Sequence, residues 1–217
     1  MATLALSTIR ALLRNDLNDS GTVTLTDAEL NTIINDGYKD VCVKGICYES
    51  KLTKSNIPTG ISLVPLVGLN VIKVNYVAYD TGTGEKGMIK IVPQALGANP
   101  VSGATPQHWF QWGAYLVIEP TPDVATYDLF VYASLYPAAV LSNDTDTLSS
   151  IPAEFHECVY RFARAYANLK LRRWGRFATA YSEYIIDVQA KREEYIAKHP
   201  DPREIKRIPN YVEVQRA

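Results

Sequence analysis

The sequence predicts an α+β protein: a four-helix-type helical bundle interrupted by an antiparallel β-sandwich or small barrel, with an extended arm at its C-terminal end. Three observations carry that reading. Apolar residues recur at helical spacing in two segments near the start and two beyond Ser150, about eighty residues between them read as strands, and prolines crowd residues 199–217. The chain then divides into a first helical half (1–56), an inserted β domain (57–148), a second helical half (149–198) and the arm (199–217).

The first helix is expected from about Ser7 to Leu17, with Ile9, Leu12, Leu13 and Leu17 on one face, and Asn18-Asp19-Ser20-Gly21 breaks it. The second has a defined start. Thr26 is placed to cap the amide of Glu29, and Glu29 to return a bond to Thr26, with Leu25 and Leu30 set to staple the entry. Leu30, Ile33, Ile34, Tyr38, Val41 and Cys42 keep one stripe until Gly45. Between Ser50 and Gly60 the helical period stops. Val71 to Tyr79 reads as a strand with Ile72, Val74, Tyr76 and Ala78 on one face, and Met88 to Val92 as its hairpin partner across a glycine-rich turn. Further strands are expected at Tyr115 to Ile118 and Tyr127 to Tyr136, and Gln94 to Pro106 as a long exposed loop. In the last strand Tyr127 shares a face with Leu129 and Val131, while Phe130, Tyr132 and Tyr136 share the other. A core accounts for one apolar face; sandwich packing or a neighbouring subunit accounts for the second.

Helical period returns with Phe155, Cys158, Val159, Phe162, Ala165, Tyr166 and Leu169, after Pro152, which a first turn tolerates. Glu154 and Glu157 suit the positive end of that helix. Gly175 offers a tight connection to a last helix carrying Phe177, Tyr181, Tyr184, Ile185 and Val188. In the arm, Pro200, Pro202 and Pro209 block helix around the alternating run Tyr211-Val212-Glu213-Val214. Such a segment is either solvated or orders against a partner.

Composition is that of an ordinary soluble globular chain, at 47% apolar and 21% charged residues. No apolar run approaches a membrane span, so no membrane contact is expected, and MATLALSTIR lacks the apolar block of a signal peptide. The three cysteines, Cys42, Cys47 and Cys158, lack metal-site spacing and read as reduced cytosolic thiols. The net charge of -1 is uneven, with the β region acidic and the last third basic. The densest charge cluster is Lys170, Arg172, Arg173 and Arg176, with no acid between them. It is either a solvated helix end or a surface meeting DNA phosphate or an acidic neighbour. Trp174 within it is expected to anchor the corner by packing.

No catalytic set emerges. His108, His156 and His199 have no partner at a nucleophile spacing, and Thr81 to Gly87 lacks the lysine-serine or lysine-threonine of a phosphate loop. Glu154 and Glu157, three apart on one helix, are a carboxylate pair explained by an exposed first turn. No enzyme, cofactor or metal is expected.

The opening Leu25-Thr26-Asp27-Ala28-Glu29-Leu30, followed by Ile33-Ile34-Asn35-Asp36-Gly37-Tyr38, and the later Ile151-Pro152-Ala153-Glu154-Phe155-His156 resemble the head-to-tail adaptors of tailed bacteriophages, also called connectors or tubular tail proteins. The resemblance covers most of residues 7–198. It implies a virion structural protein, assembled in the bacterial cytoplasm as a homododecameric ring. That ring lies under the portal, in the virion neck, continues the DNA channel and gives the tail or nozzle protein its platform. The arm would then dock on the portal, with Ile205, Ile208, Tyr211, Val212 and Val214 as anchors and a strand added to a sheet edge. Two rival readings remain at this point: a β module binding single-stranded nucleic acid or saccharide, opposed for nucleic acid by the acidity of residues 61–150, and a virion-associated cell-wall hydrolase.

Overall fold

A computed structural model describes residues 4–18, 24–80, 82–92, 105–123, 127–137 and 139–198. One compact unit lies within Met1–Cys47 and Ala139–Ala217, the other within Tyr48–Ala138. Among the described residues the first holds four α-helices and the second eight strands, so the class is α+β.

Helix α1 (Leu6–Leu17) buries Leu6, Ile9, Leu13 and Leu17, whereas Leu12 turns outward. Leu6, about one turn before Ile9, extends the buried stripe toward the helix start instead. Asn18 closes the helix in the left-handed region, at φ 53°, returning its amide to the carbonyls of Arg14 and Asn15. Helix α2 (Asp27–Gly45) starts on the expected capping box: the Glu29 amide donates to Thr26 Oγ1 at 3.2 Å and the Thr26 amide to Glu29 Oε2 at 3.0 Å. Leu25 and Leu30 are both buried, as a staple requires. Arg10 and Arg14 hold Asp27 from α1, and the Arg14 hydrogen bond keeps that carboxyl below the usual carboxylate range.

The second half of the unit begins as a 3-10 turn (Ala153–Phe155) and continues as α3 (His156–Lys170) and α4 (Trp174–Lys198). Helix α3 packs against α1, α2 and α4, and its buried Phe162 meets α2 where Gly37 leaves room. Its ring stacks on Tyr166 at 4.3 Å and meets Tyr184 edge-on at 5.4 Å, so aromatic contacts join α3 to α4. Buried Asn35 ties α2 to the chain before α3 by exchanging bonds with the backbone of Leu141. The left-handed residue between α3 and α4 is Arg172, at φ 55°, not Gly175, which sits inside the first turn of α4.

The second unit holds two open four-stranded sheets rather than a closed barrel. Strands β1 (Glu49–Ile57), β8 (Tyr127–Leu135), β3 (Val71–Asp80) and β4 (Lys86–Gly87) form one sheet, in that order. Strands β2 (Leu63–Pro65), β7 (Tyr115–Glu119), β6 (His108–Trp112) and β5 (Ile89–Lys90) form the other. Residues 49–57, where the sequence shows no period, pair with β8 along the sheet edge. The strand that returns along β3 is Lys86–Gly87, just ahead of the expected Met88 to Val92, within which Ile89–Lys90 instead joins the other sheet. There β5 runs parallel to β6, so the insert is mixed rather than purely antiparallel.

Strand β3 departs from simple alternation. Register shifts at Val71/Lys73 and Val74/Tyr76 each place an extra residue in β3, so inward positions pass from Val74 to Val77 and Tyr79. Tyr76 therefore lies on the opposite face, tilted against Tyr132 at 5.6 Å. Both sheets feed one buried cluster that includes Val64, Val77, Trp109, Leu116, Ile118, Leu129 and Val131. The second face of β8 is half covered by the unit itself, since Lys51 Nζ sits 3.7 Å above the Phe130 ring and Tyr132 bonds Glu85.

Candidate functional site

The α3–α4 corner collects the four predicted cations, yet points them two ways. Three amides close the turn: Leu171 on the Ala167 carbonyl, Arg172 on Leu169 and Arg173 on Asn168. Lys170 and Arg172 then line a groove of about 680 Å³ against α2, together with Glu29, Asp36, Tyr166 and Trp174. Arg176 instead lines a cleft of about 320 Å³ with Asp16, Arg164 and Glu183, and Arg173 reaches the Leu17 carbonyl at 3.4 Å. No acid stands among these residues in sequence, but α1, α2 and α4 bring four into the two recesses. Lys170 is close enough to help hold the Glu29 carboxyl low, after the stronger hydrogen bonds from Thr26. Trp174 is 65% exposed on the groove rim rather than packed as a corner anchor.

A second recess, of about 370 Å³, shares Ile33, Asp36 and Tyr166 with the groove and extends along α2 to Val43 and Phe162. Through these shared residues they form one trough beside α2, lined by apolar side chains and by charges of both signs. Acids thus stand near the cations of this surface, which weakens its attraction for a polyanion.

The cysteines, His156 and the Glu154 and Glu157 carboxylates are engaged elsewhere. Cys42, Cys47 and Cys158 are free and buried, and burial pushes the Cys158 thiol up to about 12, with Asp187 adding to it. The Cys47 thiol is raised as well, by its hydrogen bond with Cys42 and then by burial. A thiol held protonated is a poor nucleophile. His156 is 3% exposed: Nδ1 accepts the Leu4 amide at 3.3 Å, and Nε2 faces the carbonyls of Leu148 and Ile151 at 3.1 and 3.3 Å. Burial keeps it neutral to lower pH than usual, and the ring serves as a staple. His108 lies in β6, and His199 falls outside the described residues.

Glu157 pairs with Arg161 at 2.7 Å, and Glu154 with Lys198 at 3.5 Å. The two carboxylates thus face different partners and form no acid–base pair across a cleft. The glycine-rich turn joins β3 to β4 and is organised by Asp80, which accepts the amides of Gly82 and Gly84. Among the described residues no group of three or more His, Cys, Asp or Glu could hold a metal, and no helix is long and apolar enough to cross a membrane.

The arm anchors Ile205, Ile208, Tyr211, Val212 and Val214 lie outside the described residues, as does most of the expected loop from Gln94 to Pro106. One exposed feature had no signal in the strand pattern. Trp112, Tyr115, Leu63 and Val67 are 70%, 47%, 50% and 70% exposed around the β6–β7 turn.

A family model described as SU10 adaptor protein matches residues 4–201. No curated protein matches the chain.

Proposed function

The chain belongs to the SU10 adaptor protein family, a family of phage head-to-tail adaptors, and from that premise we propose that its copies form a ring beneath the portal. In this reading the ring, of twelve copies, continues the DNA channel through the virion neck and offers the tail or nozzle protein its platform. The observation that carries the proposal is the extent of the match, which runs through both units and not through one helix pair.

The chemistry on the page supports a structural role. Raised thiols, a stapled histidine and ion-paired carboxylates leave the described residues without an evident nucleophile and base. Reduced thiols accord with assembly in the bacterial cytoplasm. The arm, residues 199–217, continues from α4 and docks on the portal through Ile205, Ile208, Tyr211, Val212 and Val214. Of the basic corner, Arg172 and Lys170 face the α2 trough and take a protein neighbour, whereas DNA contact in the channel is transient and charge-driven.

The test is to measure the mass of the purified chain alone and then with portal rings. The expected result is a defined multi-copy complex on the portal. A chain that neither associates nor binds portal would overturn the proposal.

A further inference from the structure

From the exposed end of the second sheet we propose that the β6–β7 tip is a docking surface for an uncharged, apolar protein surface of the tail. This inference rests on the adaptor reading. Register places the residues side by side: Trp112 pairs with Tyr115, Tyr115 with Pro65, and Leu63 with Val117 two positions along the same face. The Leu66 amide donates to the Ala114 carbonyl at 2.8 Å, bringing Val67 beside the turn. Leu63, Pro65, Val67, Trp112 and Tyr115 are all exposed. Large apolar side chains at one spot, rather than scattered singly, mark an interaction site.

The tip is held rigid. Gln111 accepts the Val74 amide of β3 at 3.2 Å and donates to the Gly113 carbonyl at 3.3 Å, so one side chain ties the turn to the opposite sheet. Gly113 sits at φ 57°, a conformation that costs glycine nothing. Aromatic side chains carried on a tied backbone have only two side-chain torsions to order on binding, which favours Trp and Tyr as anchors.

Charge identifies the kind of partner. No Asp, Glu, Lys or Arg occurs in residues 61–72 or 105–118, the two described stretches that carry the tip. A nucleic-acid backbone would find no cation on these described stretches. A saccharide would find aromatic surface, but the adjoining amide, Gln111, is already committed on both atoms. An apolar protein surface remains.

Size and the arm's assignment choose between a second copy and a tail component. Side chains of this number and exposure present on the order of 400–500 Å², below the roughly 800 Å² per partner of a stable pairwise interface. One tip is too weak to hold two copies together, while many tips in one assembly bind through their number. The helical unit ends at Lys198, where the arm assigned to the portal begins. In the adaptor reading the portal is thus taken by the arm, which leaves the tail as the neighbour for the tip.

The experiment joins heads and tails in vitro. Heads carrying the wild-type chain, the Trp112→Ser/Tyr115→Ser variant or a separate Val67→Glu variant are mixed with tails isolated from lysates lacking this protein. Joined particles are counted by electron microscopy, and each variant's thermal unfolding is recorded. The expected result is normal mounting on heads, unchanged unfolding and at least a tenfold drop in tail joining for both variants. Normal joining by either folded variant overturns the proposal. So does failure of a folded variant to mount, which makes the tip a contact between copies or with the portal. If the wild-type chain itself does not mount on heads, the adaptor reading falls with it.

Discussion

Replacing Gly37 with alanine tests the helical packing at its tightest point. Propensity alone favours the change by about 1 kcal/mol, since glycine is a poor residue inside a helix. The structure opposes it. A methyl at position 37 would lie 2.7 Å from Phe162 Cδ1, 3.2 Å from Cγ and 3.3 Å from Cβ. These are atoms near the root of the side chain, and the ring is held between Tyr166 and Tyr184. Phe162 cannot retreat without moving both tyrosines, and overpacking of this kind costs about 1–3 kcal/mol. The expected net effect is a loss of about 1 kcal/mol, or ~2–4 °C in unfolding temperature for a chain of this length. Combining Gly37→Ala with Phe162→Leu should cost less than the two single changes added, because the smaller side chain makes room for the methyl. Thermal unfolding followed by far-ultraviolet circular dichroism measures all three variants. A Gly37→Ala chain stabilised by the full propensity gain, or strict additivity in the double variant, would refute the reasoning.

Three further outcomes are expected. Thr26→Ala removes the capping box and should lower stability by about 1 kcal/mol, measured by urea unfolding, while Thr26→Ser restores most of it. His156 has its pKa depressed by burial, so its stabilising neutral form is complete above its ordinary value of about 6.5. Stability should fall as pH drops from there through the lower folded-state value, where the unfolded chain binds the proton first. In His156→Gln that part of the pH dependence should vanish from the urea midpoints. Deleting Pro200 to Ala217 should leave the unfolding temperature nearly unchanged and abolish capture by immobilised portal rings; retained capture would return the arm to a solvated role.

The helices were legible because their signals are local. Thr26 and Glu29 announce a cap three residues apart, and the stripe from Leu30 to Cys42 ends at Gly45, where the helix ends. The strand register was not legible, since the two β3 bulges arise from pairing with β8, far along the chain. The same holds for β5, whose neighbour is decided by a crossing between sheets after Met88. The basic corner was read as a single acid-free patch because sequence lists only chain neighbours. Folding sets Glu29 and Asp36 beside Lys170 and Arg172, and Asp16 and Glu183 beside Arg176. Trp174 is a related case: an aromatic at a turn is a common packing anchor, but here it lines the groove and stays 65% exposed. Trp112 and Tyr115 carried no warning, because alternation is silent about what lies beyond a sheet's outer face.

The division of the helical unit has a consequence for synthesis. Helix α2 buries Leu30, Ile33, Ile34, Tyr38 and Val41, and its chief cover is α3, on the far side of Tyr48–Ala138. A ribosome adding about 5–20 residues per second needs on the order of 5–20 s to pass through that insert before α3 emerges. For that interval the nascent chain shows an apolar ridge that only α1 can shelter. The β unit, whose strands all lie between the two helical halves, can meanwhile complete itself. Its folding shortens the span that α3 must bridge to find α2, so the insert acts as the clasp that lets a core made at two different times close.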